Sequence, residues 1–214
     1  METVERVVTD RGELVLRRDG AHFELISNGV FLMDTRSGTS ERTLVRAALS
    51  AAAPGARLLI GGLGVGFSLA EAVRSKTAAE IVVIEIEPDV VAWHATHLAS
   101  FSAGALDDPR VRVVTADLGR WLATTDELFD VICLDVDNGP DWTVFGDNAA
   151  LYGDAGTALL RAHLSPGGVL AVWSASASAA YLTRLTATIG PVETLLTEVD
   201  RGEPDVVYLA RRCS

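Results

Sequence analysis

The sequence predicts an α/β protein, a doubly wound and mostly parallel sheet with a small antiparallel β region ahead of it. From Ala56 onward, short runs rich in Val, Ile and Leu alternate with segments of helical period, the pattern of a parallel sheet covered on both faces. The first run empties into Gly61-Gly62-Leu63-Gly64-Val65-Gly66 directly before a helical segment, and glycines allow that sharp turn. The first 45 residues instead alternate apolar and polar positions, broken by Asp19-Gly20 and Asn28-Gly29. Both pairs are hairpin signals, because the central residues of a type I′ turn need positive φ.

In chain order, Glu13–Arg17, His22–Ile26 and Val30–Met33 form the small sheet. Ser40-Glu41-Arg42 opens a helix that runs through Val45, Leu49 and Ala52 to the Pro54-Gly55 stop. Strands follow at Arg57–Gly61, Ile81–Ile86, Val111–Ala116, Asp130–Leu134, Val169–Trp173, Val192–Glu198 and Val206–Ala210. Helices fall near Ser68–Ser75, Pro88–Ser100, Gly119–Thr124, Asn148–Leu164 and Ser178–Ile189, with Pro166-Gly167-Gly168 as the break before the fifth strand. The chain thus divides into a β region over 1–45 and an α/β domain over 46–214.

A length of 214 residues suits one good-sized domain with an appendage, and 49% apolar with 22% charged residues is a globular composition. Eighteen Lys and Arg against 29 Asp and Glu leave a net charge of −11, which repels phosphate backbones and anionic membranes. Nucleic acid and membrane are therefore not expected as partners, and cationic or neutral small molecules are. Cys133 and Cys213 have neither disulfide nor metal-ligand spacing, so a reducing cytoplasm is expected. Met1 to Arg6 is acidic and lacks an apolar core, so no signal peptide is expected. The uncharged stretch Leu164–Thr183 contains Pro166, Gly167 and Gly168 and reads as turn, strand and helix start, not as a membrane span.

Four features carry chemistry. Gly62, Gly64 and Gly66 let the backbone lie against a ligand that side chains would exclude, although a tight turn without a ligand has the same sequence. Glu85 ends the second strand, where a doubly wound fold presents a carboxylate to ribose hydroxyls; a helix-capping or solvated acid beside Glu87 is the alternative. Asp117 closes the third strand, where a carboxylate can accept from an exocyclic adenine amine. Most pointed is Phe129 to Trp142, in which an apolar strand delivers Asp135 to the carboxyl edge of the sheet and Asp137, Asn138 and Asp141 crowd acceptors behind it, beside Trp142. Neighbouring carboxylates raise one another's pKa, which suits a base, and their joint field draws an ammonium group. A helix N-cap cluster is the alternative. His94 and His97 share a helix face but lack a third ligand; they read as solvated residues, and no metal is expected. Trp173 and Ser174 are secondary candidates at the end of the fifth strand.

Together these residues resemble the spermidine synthase family, aminopropyltransferases on the Rossmann-like class I S-adenosylmethionine-dependent methyltransferase fold. The likeness runs through the Gly-rich loop, Val83-Ile-Glu85-Ile-Glu87-Pro-Asp-Val, Asp108-Pro-Arg-Val, Asp117, Phe129-Asp-Val-Ile with Asp135, and Leu164-Ser-Pro-Gly-Gly-Val-Leu. It implies a seven-stranded, mostly parallel sheet with an antiparallel last strand. By that likeness Gly62, Gly64 and Gly66 hold the amino-acid end of the cofactor, Glu85 the ribose with Ile86 beside it, and Asp117 and Leu118 the adenine. Asp135 takes the catalytic position at the cofactor, accepting a proton from the attacking amine, while Asp137, Asn138, Asp141 and Trp142 face the substrate.

The chain also departs from the family. The loop aspartate that meets the donor's ammonium is Val65, the Asp-Ser-Ser-Asp motif becomes Asp135-Val136-Asp137-Asn138, and of Tyr-His-Glu only the acid remains in Ser40-Glu41-Arg42. Loss of an acid near the donor tail makes room for a carboxylate. The expectation is an S-adenosylmethionine-type transferase alkylating a small, amine-bearing substrate, with methyl transfer ahead of aminopropyl transfer from decarboxylated S-adenosylmethionine. A catalytically silent cofactor-binding module is a further alternative. A nicotinamide-dependent oxidoreductase fits least, given Asp117 and the last strand. An exposed edge of the N-terminal sheet predicts a homodimer.

Overall fold

The computed structural model describes residues 1–143, 148–199 and 202–213, which form two sheets. The first is an antiparallel meander of β1 (Glu2–Thr9), β2 (Gly12–Asp19), β3 (His22–Ser27) and β4 (Val30–Asp34). Asn28 and Gly29 both have positive φ, 50° and 79°, as the turn signal predicts. The other turn differs: Asp19 pairs with His22 as the last rung, and Gly20 is the first central residue, with φ of 61°. Glycine in that position belongs to the type II′ turn. Strand β1 escapes the sequence pattern because Glu2, Glu5 and Arg6 interrupt its alternation. It is an edge strand tied to β2 by its ladder and by the cross-strand ion pairs Arg18–Glu2 and Arg6–Glu13.

The second sheet holds β5 (Ala56–Gly61), β6 (Ala78–Glu85), β7 (Val111–Thr115), β8 (Phe129–Leu134), β9 (Leu164–Ser174), β10 (Val192–Thr197) and β11 (Asp205–Arg211). Their order is β10-β11-β9-β8-β5-β6-β7, with β11 antiparallel to both neighbours. All seven strands of the sequence reading are present, their ends moved by a few residues. The helices are α1 (Thr39–Ser50), α2 (Phe67–Arg74), α3 (Pro88–Trp93), α4 (Ala99–Ser102), α5 (Leu118–Leu122), α6 (Ala149–Tyr152), α7 (Asp154–His163) and α8 (Ala179–Thr188).

Two expected helices are each split in two. The Leu98 N–H reaches back to the Trp93 carbonyl, which ends the first turn of helix and leaves His94 and His97 in a turn between α3 and α4. Gly153, with extended ψ, parts α6 from α7. Helix α1 runs through residue 45, so the passage between the sheets comes before it, at residues 35–38.

Burial follows from the strand composition. Leu59, Ile132 and Leu134 pack on one face of the large sheet, and Leu58, Ile60 and Val131 on the other, under α1 and α2. A third cluster joins the two sheets: Leu14, Leu16 and Leu25 of the meander pack against Val65, Phe67, Val90 and Trp93. Strand β5 lies between β6 and β8, so the strand order reverses beside it. Open α/β sheets bind ligands in the crevice outside the carboxyl ends at such a reversal.

Candidate active site

That crevice is a cleft walled by the ends of β5, β6, β7 and β8 and roofed by Arg11, Leu14, Leu25 and Met33 of the meander. The glycine loop forms its floor. Gly62 has φ of 90°, and a Cβ there would stand 2.2 Å from the Asp135 carbonyl oxygen; at Gly64 it would stand 2.4 Å from Met33 Sδ. Both glycines line the cleft. Close packing against backbone thus requires glycine at Gly62, whereas at Gly64 the neighbour is the end of a flexible side chain and the positive φ of 50° is what favours glycine. Gly66, expected with them, packs instead on His94 and Ser102 and is not among the cleft-lining residues.

Glu85 lines the cleft but is neither a solvated acid nor a helix cap. Its Oε2 accepts the Leu63 N–H at 2.9 Å and its Oε1 the Glu87 N–H at 2.8 Å, tying the glycine loop to the end of β6. Burial pushes its pKa up, and the surrounding amide hydrogen bonds oppose that shift. The amides of Glu87, Leu63, Gly64 and Ile86 all bear on this carboxyl, so the chain's own backbone takes up most of its acceptor capacity. Ile86, Asp117 and Leu118 also line the cleft. Asp117 Oδ1 caps α5 by accepting the Arg120 N–H at 2.8 Å, which turns the carboxyl to the cleft wall and leaves Oδ2 without a partner among the described residues.

Asp135 follows β8 and lines the cleft, its N–H bonded to the Gly61 carbonyl. Its Oδ2 accepts the Ser68 hydroxyl at 2.6 Å. Opposite lies Glu41 from the first turn of α1, with Ser40 donating to it at 3.1 Å. Burial, then the charge of Asp135, lifts the Glu41 carboxyl to about 7; burial, then Asp205, lifts Asp135 to about 6 against the Ser68 bond. Neither carboxyl has a cationic partner among the described residues. Asp205 stands behind them, its Oδ2 accepting from the Trp173 indole at 3.3 Å, and Trp173 also lines the cleft.

The partners of Asp135 are therefore Glu41 and Asp205, which the topology brings from α1 and β11, and not the acids that follow it in sequence. Asp137 does line the cleft, in a left-handed conformation with φ of 61°, and accepts from Asn148 at 2.9 Å. Asn138 turns away: its carbonyl accepts the Ala175 N–H beyond β9. Asp141 and Trp142 are exposed and do not line the cleft, Trp142 at 59%. Of the two histidines expected to be solvated, His97 stays part-exposed and His94 does not. His94 is buried with Nε2 2.9 Å from the Gly64 carbonyl oxygen, and His97 pairs with Glu5 of β1. Val65, on which the choice of transferred group turned, is fully buried among Leu14, Phe67 and Trp93 and contributes nothing to the cleft.

Sequence reasoning missed Arg11, Met33 and Glu87, and gave Glu41 no role. Arg11 Nε lies 3.3 Å from Glu87 Oε1 at the mouth of the cleft. Asn28 sets it there, donating to the Arg11 carbonyl and accepting the Glu13 N–H, while Gly12 leaves room for that amide.

Residues 39–182 match the family model of the spermine/spermidine synthase domain. The polyamine aminopropyltransferase of Mycobacterium tuberculosis (strain ATCC 25618 / H37Rv) is 35% identical over 170 residues, 77% of this chain and 31% of that protein. Polyamine aminopropyltransferase 1 of Pseudomonas aeruginosa is 40% identical over 94 residues, 43% of this chain and 33% of that protein. The chain spans about a third of the length of these curated relatives. Among solved structures, a spermidine synthase in complex with the transition-state analogue AdoDATO has a TM-score of 0.83 over 99% of this chain and 74% of that one, at 16% identity. The spermidine synthase from Thermotoga maritima gives 0.79 over 99% and 73%, at 15% identity. At these identities the structural likeness is one of fold.

Proposed function

The chain belongs to the spermine/spermidine synthase family, and we propose that it is an aminopropyltransferase, moving the aminopropyl group of decarboxylated S-adenosylmethionine onto an aliphatic amine. The observation that carries this reading is the meeting of Glu41 and Asp135 at one end of the cleft, neither of them ion-paired to a cation among the described residues. Such an end attracts ammonium groups and repels a carboxylate. It favours a donor whose tail is an amine alone and an acceptor that is itself an amine.

The preference for methyl transfer rested on space freed by Val65. Because Val65 is packed in the third cluster, that argument lapses, and the relatives' names weigh on the side of aminopropyl transfer. When bound, the sulfonium supplies an activated carbon whose leaving group is a neutral thioether. Asp117, with Leu118 and Ile86, holds the adenine end; Glu85 stands at the ribose, and the Gly62–Gly64 backbone approaches the donor tail. Asp135 removes the proton that the acceptor nitrogen must lose, and Glu41 holds that nitrogen in line. Asp137 extends the acidic wall towards a second amine. The open β1 edge fits pairing of two copies as a homodimer, and we take the setting to be cytoplasmic.

Calorimetric titration with decarboxylated S-adenosylmethionine, S-adenosylmethionine and methylthioadenosine, side by side, tests the reading. The decarboxylated form is expected to bind about tenfold or more tightly than the carboxylated one, a difference of about 1.4 kcal/mol or more. Tighter binding of the carboxylated form would restore methyl transfer. Silence from all three would leave a fold without its ligand.

A further inference from the structure

The Ser68 hydroxyl is the sole side-chain group among the described residues bonded to the Asp135 carboxyl, at 2.6 Å, and Ser68 is 1% exposed. It stands in the first turn of α2, two residues after Gly66 ends the glycine loop. The bond therefore links the loop-to-helix junction after β5 to the residue that follows β8. We propose that Ser68 is a positioning residue for the transfer reaction, holding Asp135 by Oδ2 so that Oδ1 is the oxygen left to take the proton of the acceptor amine. The inference rests on the transferase reading and extends it to a residue outside the cleft lining.

The chemistry explains why a hydroxyl is wanted. A short bond from a neutral donor to a carboxylate fixes its rotamer and favours its charged form. The acids facing Asp135 among the described residues work the other way. These are Glu41 on α1 and Asp205 on β11, while Cys133 on β8 and Tyr152 on α6 are kept protonated by burial first, with the charge of Asp135 adding to it. Asp137, on the loop after it, adds a further carboxyl to the same wall. Ser68 opposes them without bringing a positive charge that would compete with the amine. One turn of chain thus sets both the glycine loop and the state of the base.

The test compares Ser68→Ala and Ser68→Thr with the wild type, by kcat and KM for a diamine over pH 5.5–9.5, with thermal unfolding alongside. In the alanine variant the acid limb of kcat is expected to move up by about one pH unit, since the lost bond favoured the ionised carboxyl. At pH 5.5 kcat should then fall by about eightfold and at pH 6.5 by about threefold, with almost no change at pH 9 and donor KM within about twofold. Threonine, which keeps the hydroxyl, should restore the wild-type limb. An unmoved limb in the alanine variant, or an equal loss at every pH that threonine does not repair, overturns the proposal. A wild-type chain with no turnover would instead overturn the transferase reading.

Discussion

Asp135→Asn is expected to lower kcat by about a thousandfold, the middle of the range of about 10²–10⁴ that a positioned general base supplies. Asparagine keeps the shape of the side chain, its carbonyl can still accept from Ser68, and the backbone bond to Gly61 is untouched. What goes is the charge and the basicity. The wild-type rate should fall off on the acid side as the carboxyl near 6 becomes protonated, whereas the residual rate of the variant should not follow that limb. Affinity for the adenosyl substrate is expected to stay within about twofold, because uniform binding is not what a base contributes. An equal loss of turnover and of donor affinity would make Asp135 a wall of the pocket instead of its base.

Glu41→Gln should separate stability from function. The folded chain lifts the Glu41 pKa to about 7 from 4.5, by burial first and by Asp135 and Asp205 next. A carboxyl raised in this way contributes its full stabilisation below the unfolded value and loses it as pH rises through the folded value. Glutamine carries no charge at any pH. The variant is therefore expected to be more stable than the wild type by ~2–3 kcal/mol at pH 8 and by under ~1 kcal/mol at pH 5, read from urea unfolding. At the same time KM for the amine should rise by about 10–100-fold, the loss of one charge-assisted bond. A variant that is less stable at pH 8, or that keeps its amine KM, would remove Glu41 from the acceptor end.

The strands that place the site were legible because each is a short, nearly continuous apolar run, and Asp135 was legible because it ends one of them. The glycine loop was legible as a turn, but not the full cause of its composition: Gly62 answers to the Asp135 carbonyl, a contact between segments far apart in sequence. The same limit hid Glu41. Its neighbours Ser40 and Arg42 mark a helix start, and only the packing of α1 beside β8 and β11 turns it to Asp135. Sequence adjacency misled in the other direction at Trp142 and Asp141, which follow Asp135 closely yet stand exposed, because the chain turns outward after Asn138 bonds across to Ala175. Val65 misled because a motif position was read as a cleft position. In the folded chain it belongs to the contact between the two sheets. Edge strand β1 was hidden by its charges, which here are cross-strand partners.

On the proposed function, the acidic end of the cleft receives an amine and the group that amine gains is aminopropyl. Incubation of the chain with decarboxylated S-adenosylmethionine and one aliphatic diamine, with both products identified by mass spectrometry, tests it most directly. The expected products are methylthioadenosine and the diamine extended by one aminopropyl group, in equal amounts, with neither formed by Asp135→Asn at a comparable rate. No transfer from the decarboxylated donor, with S-adenosylhomocysteine and a methylated amine formed from S-adenosylmethionine in a parallel incubation, would contradict it.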